Sequence, residues 1–159
     1  MTETKTDNLA IGSVVKDKQM ASNPAQKGPD KGGFWWGLGR RKSSVARVRI
    51  KAGQGKLLIN DRELTNYFKL EQHRSTVVAP LKLLDVEKKF DVFANVRGGG
   101  ITGQAEAVLL GVARALKNYD ETLAQPLRDI GYLTRDSRMV ERKKPGQSGA
   151  RKRYQFSKR

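Results

Sequence analysis

Phe90-Asp91-Val92-Phe93-Ala94-Asn95-Val96-Arg97-Gly98-Gly99-Gly100-Ile101-Thr102-Gly103-Gln104-Ala105 changes its hydrophobic period partway along. Up to Val96, one alternating set is apolar (Phe90, Val92, Ala94, Val96), the pattern of a strand buried on one side. After Gly103 the spacing becomes three and four, and Ala105, Val108, Leu109, Val112, Leu116 and Tyr119 make one stripe of an amphipathic helix. A strand running through glycines into such a helix calls for a sheet with a helical layer on it.

The flanking sequence extends this pattern. Ser44 to Lys51 alternates, with Ala46, Val48 and Ile50 on one side and Val45, Arg47, Arg49 and Lys51 on the other, so a half-buried strand with a cationic outer face is expected. Ala52-Gly53-Gln54-Gly55 reads as a turn, and Lys56 to Asn60 as the return strand of a hairpin. Asp61 is placed to cap a short helix holding Leu64, Tyr67 and Phe68, and a second helix is expected over Ser75 to Leu84. Leu123, Leu127 and Ile130 continue as a short helix ended by Gly131. The order β-β-α-α-β-α-α predicts the α+β class, a two-layer α/β sandwich with helices on one face of one sheet.

This domain is expected over residues 34–134 of the 159-residue chain. Residues 1–33, rich in Thr, Asn, Lys, Gly and Pro, are expected to be a disordered extension. Residues 135–159 hold ten Lys or Arg against two acids, a net of +8 and half of the chain's +16. Like charges at this density keep a segment extended until a polyanion neutralises them. A small body with a stretched cationic tail suits threading into folded RNA.

Other classes fit less well. No apolar run approaches the roughly 18 residues of a membrane span, so no membrane role is expected. The chain has no cysteine and one histidine, His73, read as a surface or interface residue, so thiol chemistry, a metal site and a His-centred triad are not expected. Asp61, Glu63, Asp85, Glu87 and Asp91 are scattered among basic residues, and no catalytic residue stands out. A reduced, cytoplasmic setting fits this composition.

Gly98-Gly99-Gly100-Ile101-Thr102-Gly103 satisfies G-x-G-x-x-G after a strand, which in a dinucleotide fold would hold a pyrophosphate. That fold needs further βαβ units, and two helices and a tail follow instead; no cofactor is expected. Two readings stay open for the loop. Either its glycines let strand and helix pack closely, or its bare amides beside Arg97 hold an RNA phosphate. The cluster Arg40-Arg41-Lys42, with Arg47 and Arg49 on the next strand, reads as an RNA-facing edge. Trp35 and Trp36 read more readily as a plug at the edge of a small core than as a base-stacking pair.

Five motifs carry a family resemblance. Gly37-Leu38-Gly39-Arg40-Arg41-Lys42-Ser43-Ser44-Val45-Ala46-Arg47-Val48, the Phe90 to Ala105 stretch, Leu133-Thr134-Arg135-Asp136, Glu141-Arg142-Lys143-Lys144 and Gln155-Phe156-Ser157-Lys158-Arg159 resemble the bacterial type of small ribosomal subunit protein nine. The resemblance runs from about Phe34 to Arg159. Residues 1–33 have no counterpart in it, and Pro145-Gly146-Gln147-Ser148-Gly149 is less basic than the usual middle of the tail. It implies a fold of the ribosomal-protein-five second-domain type in a non-enzymatic, ribosome-bound protein. The implied partners are the 3′ major domain of small-subunit ribosomal RNA in the head, neighbouring head proteins, and transfer RNA in the peptidyl site. By position, Lys158 and Arg159 would meet that transfer RNA. Ribosomal RNA contacts are expected from Arg40, Arg41, Lys42, Arg47, Arg49, Arg97, Gly98, Gly99 and Gly100 in the body, and from Arg135, Arg138, Arg142, Lys143, Lys144, Arg151, Lys152 and Arg153 in the tail. The competing class is an RNA-processing enzyme on the same fold, which would gather its cations in a body groove.

Overall fold

The computed structural model describes residues 28–158. The disordered extension expected over residues 1–33 lies outside the described residues as far as residue 27, and Arg159 also lies outside them. Five strands form one sheet in the order β1-β2-β5-β3-β4: β1 Trp35–Arg41, β2 Ser44–Ala52, β3 Leu57–Ile59, β4 Arg62–Glu63 and β5 Phe90–Arg97. The helices are α1 Leu64–Tyr67, α2 Glu71–Leu83, α3 Ile101–Tyr119 and α4 Ala124–Asp129. They cover one face of the sheet, with α3 lying over β1 and β2 and flanked by α2. The α+β two-layer sandwich is the observed architecture.

The alternation in β2 and β5 is realised residue by residue. Ala46, Val48 and Ile50 are fully buried, and Phe90, Val92, Ala94 and Val96 are at most 4% exposed. They meet Val108, Val112 and Leu116 of α3 and Val77 and Leu81 of α2 in one core. Helix α3 buries more than the expected stripe. Leu110 is buried where Leu109 is half-buried, and Ala107, Gly111 and Ala115 face β1.

Strand β1 was not visible in the alternation of apolar residues, because its inward positions are Gly37, Gly39 and Arg41. Those glycines allow backbone to approach backbone. A Cβ on Gly39 would sit 1.8 Å from the Ala107 carbonyl oxygen, and one on Gly37 would sit 2.1 Å from that of Gly111. Residues 107, 111 and 115 recur every four positions and so share one helix face, kept small to match. Among the described residues the outer edge of β1 has no strand partner, and α3 supplies donors there. Arg114 Nη1 donates to the Leu38 carbonyl and Asn118 Nδ2 to that of Trp36, both at 2.7 Å.

Strand β3 does not return along β2; it runs parallel to β5 and antiparallel to β4, so the chain crosses over through α1 and α2 before β5. Nearness in sequence favoured a hairpin, but β2 is already flanked by β1 and β5. Asp61 does not cap α1. With Asn60 it takes positive φ in the tight β3–β4 turn, and Asn60 also bonds both backbone groups of Val96 with its side-chain amide. His73 is buried against the edge of Phe68 rather than on the surface. The two tryptophans separate: Trp35 turns inward and meets Tyr119 edge-on, while Trp36 is 46% exposed on the other face.

Candidate nucleic-acid interface

Strand parity places the cations. In β1, the residues opposite the buried glycines are Trp36, Leu38 and Arg40; in β2 they are Val45, Arg47, Arg49 and Lys51; in β5, Asp91, Phe93, Asn95 and Arg97. Register aligns them into cross-strand rows: Arg40–Val45–Arg97, Leu38–Arg47–Asn95 and Trp36–Arg49–Phe93. Among the described residues no helix covers this face. Arg40, Val45, Arg47, Asn95 and Arg97 line an open cleft of about 330 Å³ that, among the described residues, holds three guanidinium groups and no carboxylate.

The third row carries aromatic rings beside its cation. The Arg49 guanidinium lies 5.1 Å from the ring centre of Phe34 and 5.3 Å from that of Phe93, beside two rings that meet each other edge-on at 6.0 Å. Asp91, an acid on this face, has one end occupied: its Oδ1 accepts the N–H groups of Gln54 and Lys56 at 2.9 and 2.8 Å. The Lys56 amide is the main reason its carboxyl is held below the ordinary range.

The glycine loop joins this face to α3. Gly98 and Gly99 have φ of +73° and +67°, and Cβ atoms there would meet the Ser43 carbonyl at 2.7 Å and Ser44 Oγ at 2.0 Å. The buried Ser44 hydroxyl and the Gln104 amide both donate to the Gly98 carbonyl, at 3.0 and 3.1 Å. Two of the three glycines therefore seat the loop on the β1–β2 turn, and Gly100 is the open one, with no atom of the described residues within 4 Å of its Cβ position. Among the described residues no strand follows α3, so the chain lacks the succession of βαβ units that a dinucleotide fold requires.

Arg40, Arg47, Arg49 and Arg97 are brought together, and Lys42 is exposed at the hairpin tip with φ of 50°. Arg41 faces the other way. Its side chain is 9% exposed and is bound to Glu106 of α3 and to Asp136 at the root of the tail. Phe34, Trp36, Leu38 and Phe93 complete the open face; the alternation of glycine with large residues in 36–40 was the available signal for them.

The tail runs without helix or strand, and among the described residues every hydrogen bond made past Arg138 stays within it. Arg142, Lys143, Lys144, Lys152, Arg153 and Lys158 are exposed. Arg151 is also exposed but grips Glu141 bidentately, closing a loop around Pro145 to Gly149 and holding the Glu141 carboxyl below its ordinary range.

Asp136 is bracketed by Arg138 and Arg41, and its carboxyl is lowered from 3.8 to about 2. Arg138 is the chief cause, through side-chain and backbone hydrogen bonds, and Arg41 adds a smaller Coulombic share. A depressed carboxyl favours the folded pairing above its unfolded value, so the pairing is complete above about pH 4 and lost as pH falls through about 2. We expect the Asp136 side-chain carbon signal to titrate near pH 2, and Arg138→Ala to raise that midpoint more than Arg41→Ala does. The reverse ranking would show that Arg41 dominates.

A two-layer sandwich with an uncovered arginine-rich sheet face and a long exposed basic tail defines a nucleic-acid-binding protein that engages an extended polyanion. The family model described as ribosomal protein S9/S16 matches residues 39–159, and the chain belongs to that family. It is therefore a structural, RNA-binding protein of the small ribosomal subunit that serves translation. The match begins inside β1 and takes in the remaining strands, every helix and the whole tail.

Proposed function

We propose that the protein sits in the head of the small subunit, on the 3′ major domain of its ribosomal RNA beside neighbouring head proteins. In this reading it works ribosome-bound in the cytoplasm, and its tail reaches transfer RNA in the peptidyl site. The observation that carries the reading is the tail: an exposed run of cations that, among the described residues, is bonded only to itself past Arg138. Arg135, Arg138, Arg142, Lys143, Lys144, Arg151, Lys152 and Arg153 take RNA phosphates, with Glu141 releasing Arg151 on contact. Arg40, Lys42, Arg47, Arg49 and Arg97 take phosphates at the open sheet face, and Gly100 offers the free side of the loop.

Fully extended, the twenty residues from Val140 to Arg159 span roughly 70 Å, at about 3.3–3.6 Å per residue. The end of the chain therefore reaches a ligand well away from the body. A Lys point charge followed by a forked Arg suits phosphate contact, which carries no base identity and so serves every transfer RNA alike.

Deleting Lys158 and Arg159 alone should leave assembly intact and weaken peptidyl-site transfer RNA. The expected cost is about 1.5–3 kcal/mol at most per lost charge-assisted hydrogen bond, less where salt screens it. Filter binding of transfer RNA to purified subunits with and without the pair measures this. Equal affinity at low salt, with the tail in place, would remove transfer RNA from the reading.

A further inference from the structure

We propose that Arg41 is a tether that fixes the direction in which the tail leaves the body, rather than a ligand of RNA. Its three guanidinium nitrogens bond three residues, one on α3 and two in the tail root. Nε donates to Glu106 on α3, Nη1 donates to the Arg138 carbonyl at 2.9 Å, and Nη2 meets Asp136 at 2.9 Å. The partners are 65 and 97 residues away for Glu106 and Arg138, so one planar group joins a sheet edge, a helix and the tail root. Only arginine has donors fanned out to do this; a lysine ammonium is a single point charge.

Burial and charge argue the same way. The Arg41 side chain is 9% exposed while that of Arg138 is 82% exposed. A phosphate seeking Arg41 would have to displace two carboxylates and approach through their negative field. The second cation at the site, Arg138, clasps the same Asp136 from outside through Nε and Nη2, at 2.9 and 2.7 Å. The tail is thus pinned as far as Arg138, and free chain begins at Met139. Without the pin it would begin about four residues earlier, after Thr134, and the tail would leave the body over a wider cone. Ordering that segment in advance removes part of the entropic cost of docking it.

The significance of the tether rests on the proposed reach of the tail, but its existence is tested without RNA. The chain has no cysteine, so Ser75→Cys on α2 and Val140→Cys provide a unique pair of spin-label sites in the full-length protein. Pulsed dipolar distances should give one narrow distribution. Asp136→Asn and Arg41→Lys should each broaden it roughly 1.7-fold, the square root of six free residues over two. Asp136 lies outside the core, so Asp136→Asn should leave the melting of the body unchanged, which keeps the test valid if Arg41→Lys folds poorly. A distribution as narrow in Asp136→Asn as in the wild type overturns the tether. A second measurement reads sign. Removing a carboxylate raises RNA affinity if it merely frees Arg41 for phosphate, whereas loosening the tether lowers the affinity of small-subunit RNA several-fold. Tighter binding by Asp136→Asn therefore also overturns the proposal, and looser binding supports it.

Discussion

Removal of residues 141–159 should flatten the salt dependence of binding to small-subunit RNA by about five to six units of log affinity per unit of log salt. The deleted segment carries eight Lys or Arg and one Glu, a net of +7. Each neutralised phosphate releases condensed counterions and contributes about 0.7–0.9 to the slope. Between about 50 and 200 mM salt, the full-length protein should therefore lose roughly three to four decades of affinity more than the truncated one. Ending the chain at Val140 leaves Arg41, Glu106, Asp136 and Arg138 in place, so the body and tail root should be unaltered. Paired titrations over a salt series give both slopes directly. Parallel lines would mean that the tail touches no phosphate and that RNA binding belongs to the sheet face alone.

The features the sequence disclosed are those in which burial alternates with a single period. The strand over 90–96, the strand from Ser44 and the stripe after Gly103 were all legible, because each places large apolar residues on the side that loses water. Strand β1 was not legible as a strand, for a steric reason. Its inward residues are glycine where α3 comes closest, so the usual signal of apolar inward and polar outward is inverted into small inward and large outward. The pairing of β3 was hidden because register is set by the whole sheet, and the nearest strand in sequence had both edges filled. Parity also decides the site. Arg40, Arg47 and Arg97 share a face because their positions in the register match, whereas Arg41 belongs to the other face by one residue. A run of like charges conceals that division, which appears only once the strand containing it is recognised.

The same inverted pattern makes Gly39 the glycine with the least room in the body, and Gly39→Ala should cost about 3 kcal/mol or more of its stability. The added methyl would lie 1.8 Å from the Ala107 carbonyl oxygen and 2.6 Å from the Gly111 nitrogen. Both are helix backbone, so no side-chain rotation relieves the clash and α3 must lift from β1. Lifting α3 also lengthens the hydrogen bonds that Arg114 and Asn118 make to the open edge of β1, and it opens the core above Val48. For a body of this size that loss corresponds to a fall in Tm of roughly 12–24 °C, at about 4–8 °C per kcal/mol. Gly103→Ala is the control. Its new methyl meets the Ser44 hydroxyl at 3.0 Å, and the gain in helix propensity offsets the tight contact, so stability should stay within about 1 kcal/mol of the wild type. Thermal unfolding of the two variants decides the matter. Equal, small shifts would mean that the backbone of β1 stands farther from α3 than these contacts require, and the small-residue face at 107, 111 and 115 would then need another cause.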